Sequence, residues 1–161
     1  MTVTGETLKA GGSAKKGGCR LCPRNCGAKR EMGETGVCGQ TDMVKVARAA
    51  LHYWEEPCIS GEAGSGTVYS TGERLAEIFL ELQAKRANNI NLVTPGHFVP
   101  QIAEALTRAK KRGLFLPVVY NTGSYEYADT LRLMEGLVDI YLPDFKYMDA
   151  GLAKRYSHVA D

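Results

Sequence analysis

Apolar positions recur at two periods along this chain. From about residue 64 onward, short aliphatic or β-branched runs alternate with stretches whose apolar residues fall on one helical stripe. Thr67–Ser70 reads as a strand, followed by a helix from about Glu73 to Ala87. Its Leu75, Ile78, Phe79 and Leu82 stand at i, i+3, i+4 and i+7, and Ser70 with Glu73 makes a capping box at its start. Asn89–Thr94 is the next strand, with a helix from about Val99 to Arg112 striped by Ile102, Ala105, Leu106 and Ala109 and stopped at Gly113. Pro117–Thr122 then leads into a helix from about Tyr125 to Glu135, and Val138–Phe145 into a helix beginning near Asp149. Strands apolar on both faces, alternating with amphipathic helices, predict a parallel sheet buried on both sides. The expected fold class is α/β: a partial (β/α) barrel of about four β–α units, preceded by an N-terminal cysteine-rich lobe. A closed eightfold barrel takes about 250 residues, so four units fit either a small open sheet or part of a larger barrel. The helix that begins shortly before Asp161 favours the second.

The regions divide as a Gly-, Ser- and Lys-rich tail over 1–18, a cysteine-rich metal-binding lobe and connector over 19–63, and the β/α region over 64–161. In parallel sheets ligands collect at the carboxyl ends of the strands. Those ends are Ser70-Thr71-Gly72, Thr94-Pro95-Gly96-His97, Asn121-Thr122-Gly123 and Asp144-Phe145-Lys146. The first carries no Cys, His, Asp or Lys. At the last, an acid and a base two residues apart share one face of the strand end, as a ligand-facing pair or equally as a solvated one. His97 reads as a turn residue. Gly64-Ser65-Gly66 precedes its strand instead of following it, so it is no dinucleotide fingerprint, and neither a P-loop nor a Gly-x-Ser-x-Gly elbow is found.

The 161 residues are 44% hydrophobic and 24% charged, ordinary values for a globular domain. No run of about 18 apolar residues supports a membrane span, and the first residues lack the apolar core of a signal peptide. The expected location is the cytoplasm. A net charge of +2 is unevenly spread: the first 50 residues carry an excess of basic groups. With no aromatics interleaved, this excess reads as balance for cysteine thiolates and not as a nucleic-acid surface. All five cysteines fall within the first 58 residues, four of them spaced Cys19-x2-Cys22-x3-Cys26-x11-Cys38 with Gly36 and Gly39 flanking the last. An odd, clustered set argues for metal over disulfides. Four thiolates suit zinc or an iron–sulfur cluster, and the spacing leans toward a cluster without deciding. Cys58 reads as a small buried hydrophobe, and His52, Tyr53 and Trp54 as packing beneath the lobe.

The stretches "CRLCPRNCGAKR", "GETGVCG", "VARAALHYWEEPCISG", "GSGTV", "RLAEIFLELQ", "NINLVTPGHFVPQI", "VVYNTGSYE" and "GLVDIYLPDFKY" carry a resemblance. The chain resembles radical S-adenosylmethionine iron–sulfur proteins related to the pyruvate formate-lyase activating enzyme, in particular the branch with an N-terminal cysteine segment. The resemblance implies a partial β/α barrel, a [4Fe–4S] cluster held by a Cys-x3-Cys-x2-Cys loop, and S-adenosylmethionine bound to the fourth iron. It also implies cleavage to a 5′-deoxyadenosyl radical that takes a hydrogen from a glycine of a protein substrate. Asn121, Thr122, Asp144 and Lys146 match positions near the S-adenosylmethionine site, with Asn121 where the relatives place an acid. This sequence departs from the pattern in two ways: Tyr69–Glu73 joins strand to helix with no three-cysteine loop, and the C-terminal half of the barrel is missing. Cys22-x3-Cys26 does not supply the loop, since Lys29 stands where the third cysteine belongs. The expectation is a chain of this family that is inactive in radical chemistry, with no catalytic residue and with Cys19, Cys22, Cys26 and Cys38 as metal ligands. The alternative is a non-catalytic zinc or iron–sulfur interaction module on a remnant α/β sheet. Expected partners are a protein substrate by analogy and further copies of the chain through uncovered barrel edges, with no nucleic acid and no membrane.

Overall fold

The computed structural model describes residues 18–44, 50–52, 65–67 and 72–158. The tail before Gly18, Tyr53, Trp54 and Cys58, and the Ser70 half of the expected capping box lie outside those residues.

Among the described residues five strands form one sheet in chain order: β1 (Ala50–His52), β2 (Ser65–Thr67), β3 (Ile90–Val93), β4 (Val118–Thr122) and β5 (Ile140–Pro143). β2 through β5 run parallel, as the alternation of strands and helices predicts. β1 is antiparallel to β2 and falls in the stretch read as connector. Among the described residues four α-helices follow the parallel strands: α1 (Gly72–Ala84), α2 (Val99–Lys111), α3 (Ala128–Arg132) and α4 (Ala150–Ser157). α1 and α2 pack on each other and on one side of the sheet.

That side holds the core. Leu75, Ile78, Phe79 and Leu82 of α1 pack with Ile102, Ala105, Leu106 and Ala109 of α2 against Ile90, Leu92, Val118 and Tyr120. The stripes read from the sequence are therefore the buried faces. Alternation sends Asn91 and Val119 to the opposite face, in register with each other, where both are fully buried. The expectation of burial on both faces thus holds for β3 and β4. It does not hold for β5, whose Ile140 and Tyr141 are 41% and 43% exposed. Among the described residues β5 pairs on one edge only.

β2 places Ser65 and Gly66 within the strand and not before it, and β5 is shorter than the expected 138–145. Two helix boundaries differ from the periodicity for physical reasons. α1 ends at Ala84 in a Schellman turn: Ala87 N–H donates to the Leu82 carbonyl and Arg86 N–H to that of Gln83, with Arg86 at φ 62°. α3 is shorter than the stretch 125–135 because residues 123–127 form a loop around Thr122. At the last helix Asp149 is the N-cap, its carboxylate accepting from Leu152 N–H at 2.8 Å.

Candidate functional site

The cysteine lobe, residues 18–44, is shaped by backbone hydrogen bonds. Cys19 N–H donates to the Ala28 carbonyl (2.8 Å) and Gly27 N–H to that of Cys19 (3.0 Å), which lays the first and third cysteines side by side. Asn25 N–H closes a turn on the Cys22 carbonyl (2.9 Å). The chain turns back at 36–40, where Gly36 N–H donates to the Gln40 carbonyl and Gly39 N–H to that of Gly36, bringing Cys38 back toward the first three. Gly36 is tightly placed: a Cβ there would lie 3.2 Å from Cys26 Sγ and 3.4 Å from Cys38 Sγ.

The thiols feel one another. Burial pushes the Cys22 thiol up; the Arg24 backbone N–H opposes this, and charge on Cys19, Cys26 and Cys38 adds to it. Cys26 is lowered, first by the backbone N–H of Ala28, against some burial, with help from Val37 N–H and the Cys19 thiol. Amide donors directed at a sulfur favour thiolate, the form that binds metal. All four cysteines are free thiols. Among the described residues no three His, Cys, Asp or Glu side chains are closed into a metal-holding group. The thiols are gathered, with Cys26 and Cys38 on either side of Gly36, but they do not converge on one point.

Spacing alone separates the lobe from the sheet; in the fold the lobe lies on the sheet's carboxyl rim. Arg30, only 2% exposed, is the central tie. Its guanidinium donates to the Thr41 carbonyl from Nε (3.0 Å) and Nη2 (2.6 Å), and from Nη1 to the His97 carbonyl (2.8 Å) and Cys19 Sγ (3.7 Å). It also lies over the Phe98 ring, 5.3 Å from the centroid. Gln101 Nε2 donates to Asp42 Oδ1 at 2.6 Å, Thr130 Oγ1 to the Leu21 carbonyl at 2.8 Å, and Arg24 to the carbonyls of Ser157 and His158. The lobe therefore touches the segments after β3 and β4 and the end of α4.

Beside these contacts the rim is self-satisfied. Thr94, at φ 52°, donates its N–H to the Asn121 carbonyl (2.8 Å), and Asp144 N–H donates to the Thr122 carbonyl (2.8 Å). The buried Thr122 hydroxyl donates to Glu126 and accepts from Ser124 N–H at 3.1 Å. The Glu126 carboxylate lies over Gly96, where a Cβ would come within 2.9 Å of Oε1. Beneath it Tyr120 is pushed far up, by burial first and by the Glu126 charge second, so its phenol keeps its proton. Asn91, on the face opposite α1 and α2, has both amide atoms buried without a hydrogen-bond partner among the described residues.

The structure thus brings Asn121, Thr122 and Asp144 together through backbone bonds on neighbouring strands. Lys146 pairs with Asp144 in an ion pair in which both side chains are more than half exposed; such pairs contribute little. Glu126 and Arg30 were not among the residues the motifs single out. Glu126 was legible as the first carboxylate after the Asn121-Thr122-Gly123 rim. Arg30 had no signal, because its burial depends on a carbonyl 67 residues away. Compared with family models, curated proteins and solved structures, the chain matches none of them.

Proposed function

We propose that this chain is a thiolate metal protein of the radical S-adenosylmethionine type that has no radical chemistry of its own. Its Cys19, Cys22, Cys26 and Cys38 lobe binds zinc or a [4Fe–4S] cluster and presents it on the rim of a partial (β/α) barrel. The observation that carries the reading is the placement of Cys26 Sγ and Cys38 Sγ against the Cβ-free side of Gly36. Thiols are the right donors for either group, and amides directed at Cys26 favour its thiolate. Ligands gathered but not closed suit a site that metal completes, since metal binding and local folding are coupled. Zinc would supply a rigid tetrahedral crosslink; a cluster would supply one-electron chemistry.

The barrel reading is supported by the strand order, sequential and parallel from β2 to β5. Against S-adenosylmethionine cleavage stands the sequence, with no Cys-x3-Cys-x2-Cys anywhere. The residues matched to that cofactor also have other partners: Lys146 with Asp144, and Thr122 with Glu126. Reduced thiolates suit a reducing compartment, so the cytoplasm is the location we assign. The partner is a protein, by analogy with activating enzymes.

The test is metal analysis of the whole chain purified without oxygen, before and after supply of zinc or of iron and sulfide. Stoichiometric zinc, or the absorbance of a cluster, is expected, and serine at each of the four cysteines should lower it. A chain that takes up neither overturns the metal reading. Formation of 5′-deoxyadenosine on reduction with S-adenosylmethionine overturns the claim that radical chemistry is absent.

A further inference from the structure

A guanidinium carries its charge at any ordinary pH, and burying it without a negative partner is costly. Arg30 is such a group. At 2% exposure it is among the largest fully or almost fully buried side chains of the chain. Its hydrogen bonds go to the neutral carbonyls of Thr41 and His97, and no carboxylate pairs with it among the described residues. Its one remaining acceptor is Cys19 Sγ, at 3.7 Å. Asp42, the nearest acid in sequence on that side, is turned to Gln101. Glu31 and Glu34 belong to the exposed outer side of the turn, where Glu34 accepts from Lys29 N–H.

A buried cation whose only side-chain acceptor among the described residues is a cysteine sulfur calls for negative charge at that sulfur. A centre with four thiolate ligands supplies it: four negative charges on Zn²⁺, or on the [4Fe–4S]²⁺ core, leave a dianion. We propose that Arg30 is the built-in counter-charge of the four-cysteine metal centre. The contact that ties the lobe to the β3 rim through the His97 carbonyl is then also the contact that tunes the metal. This rests on the metal reading above and adds to it a positioning residue. It also accounts for a basic residue inside a polar loop that, on burial alone, should be exposed.

The test uses the full chain with zinc and a competing chelator, and with cobalt as a spectroscopic stand-in for zinc. The variants are Arg30→Lys, which keeps the charge, and Arg30→Gln, which keeps hydrogen bonding without it. Loss of a partner in the outer shell of a metal costs roughly 10- to 100-fold in affinity. Arg30→Gln should show that loss with a shifted thiolate-to-cobalt charge-transfer band, and Arg30→Lys should recover most of the affinity. Equal affinity in wild type and Arg30→Gln overturns the proposal, as does Arg30→Lys behaving like Arg30→Gln, which would make Arg30 an anchor only. A wild-type chain that binds no zinc fails the metal reading instead, so the two failures are distinct. If Arg30→Gln does not melt cooperatively, Arg30→Lys decides against wild type: zinc affinity and a cobalt band near those of wild type support the counter-charge, and a loss of roughly 10- to 100-fold overturns it.

Discussion

The sheet and the cysteine lobe are ordered by different physics. Between β2 and β4 the chain buries aliphatic and aromatic side chains on a scale sufficient for an independent core. The lobe has almost none: Cys19 is buried within it, Val44 at its end packs into the sheet's own core, and the largest side chain it buries is the charged Arg30. Its shape rests on backbone hydrogen bonds, on ties to the rim and on thiols in close company. A region without an apolar core needs another source of stability, and in small segments that source is commonly a metal. The contrast predicts that the sheet survives chelators and that the lobe does not.

The largest effect that tests this comparison belongs to the sheet. Phe79 is fully buried where α1 meets the core. Phe79→Ala should cost about 3–5 kcal/mol, measured by urea denaturation, and the loss should be the same with and without chelator. A chelator-dependent loss would mean that the sheet is not independent of the lobe. Next is the Tyr120 phenol, held protonated in the folded state. Its folded pKa lies above its unfolded value of about 10, so its contribution is present below that pH. It is lost as pH rises, because the unfolded chain ionises first. Above about pH 10 stability should fall as pH rises, with a slope from this group that approaches about 1.4 kcal/mol per pH unit. Tyr120→Phe should flatten that part of the profile, and an unchanged slope would remove Tyr120 from the account.

Smaller effects probe the seam between the two regions. Thr130→Val deletes the hydroxyl that donates to the Leu21 carbonyl. It should cost about 1 kcal/mol, and the loss should be local. Hydrogen exchange at the Cys19 and Gly27 amides should quicken while that at Ile90 and Val118 does not. Uniform acceleration would show that lobe and sheet open as one unit.

The same contrast explains what the sequence disclosed. Apolar periodicity reads sheet physics, so Leu75, Ile78, Phe79 and Leu82 fell on the buried face and the parallel units followed. β1 escaped because three residues of antiparallel pairing carry no period. In the lobe the cysteine spacing was legible, but Arg30 was not. Its environment is assembled from Thr41, His97 and Phe98, which no local rule places near it. Asp144 and Lys146, two apart on a strand end, read either as a pair facing a ligand or as a solvated pair, and in the fold they pair with each other, both more than half exposed. Glu126, four residues past Thr122, took the buried hydroxyl instead.

The smallest effect sits within the sheet region and sharpens how far its order owes to burial alone. α1 and α2 end in the same Schellman geometry, with Ala87 N–H on the Leu82 carbonyl in one and Leu114 N–H on the Ala109 carbonyl in the other. The residue at the left-handed position is Gly113 at φ 97° after α2 but Arg86 at φ 62° after α1. An L side chain in that region costs roughly 1 kcal/mol, whereas glycine costs more only in the unfolded chain. Arg86 is exposed and makes no ion pair among the described residues, so little is lost with its side chain. Arg86→Gly should therefore stabilise the fold slightly, by about 0.5–1 kcal/mol, read as a higher urea midpoint at unchanged slope. A lower midpoint would mean that the Arg86 stem covers apolar surface at the end of α1, and that even this edge of the sheet region is held by burial more than by its backbone.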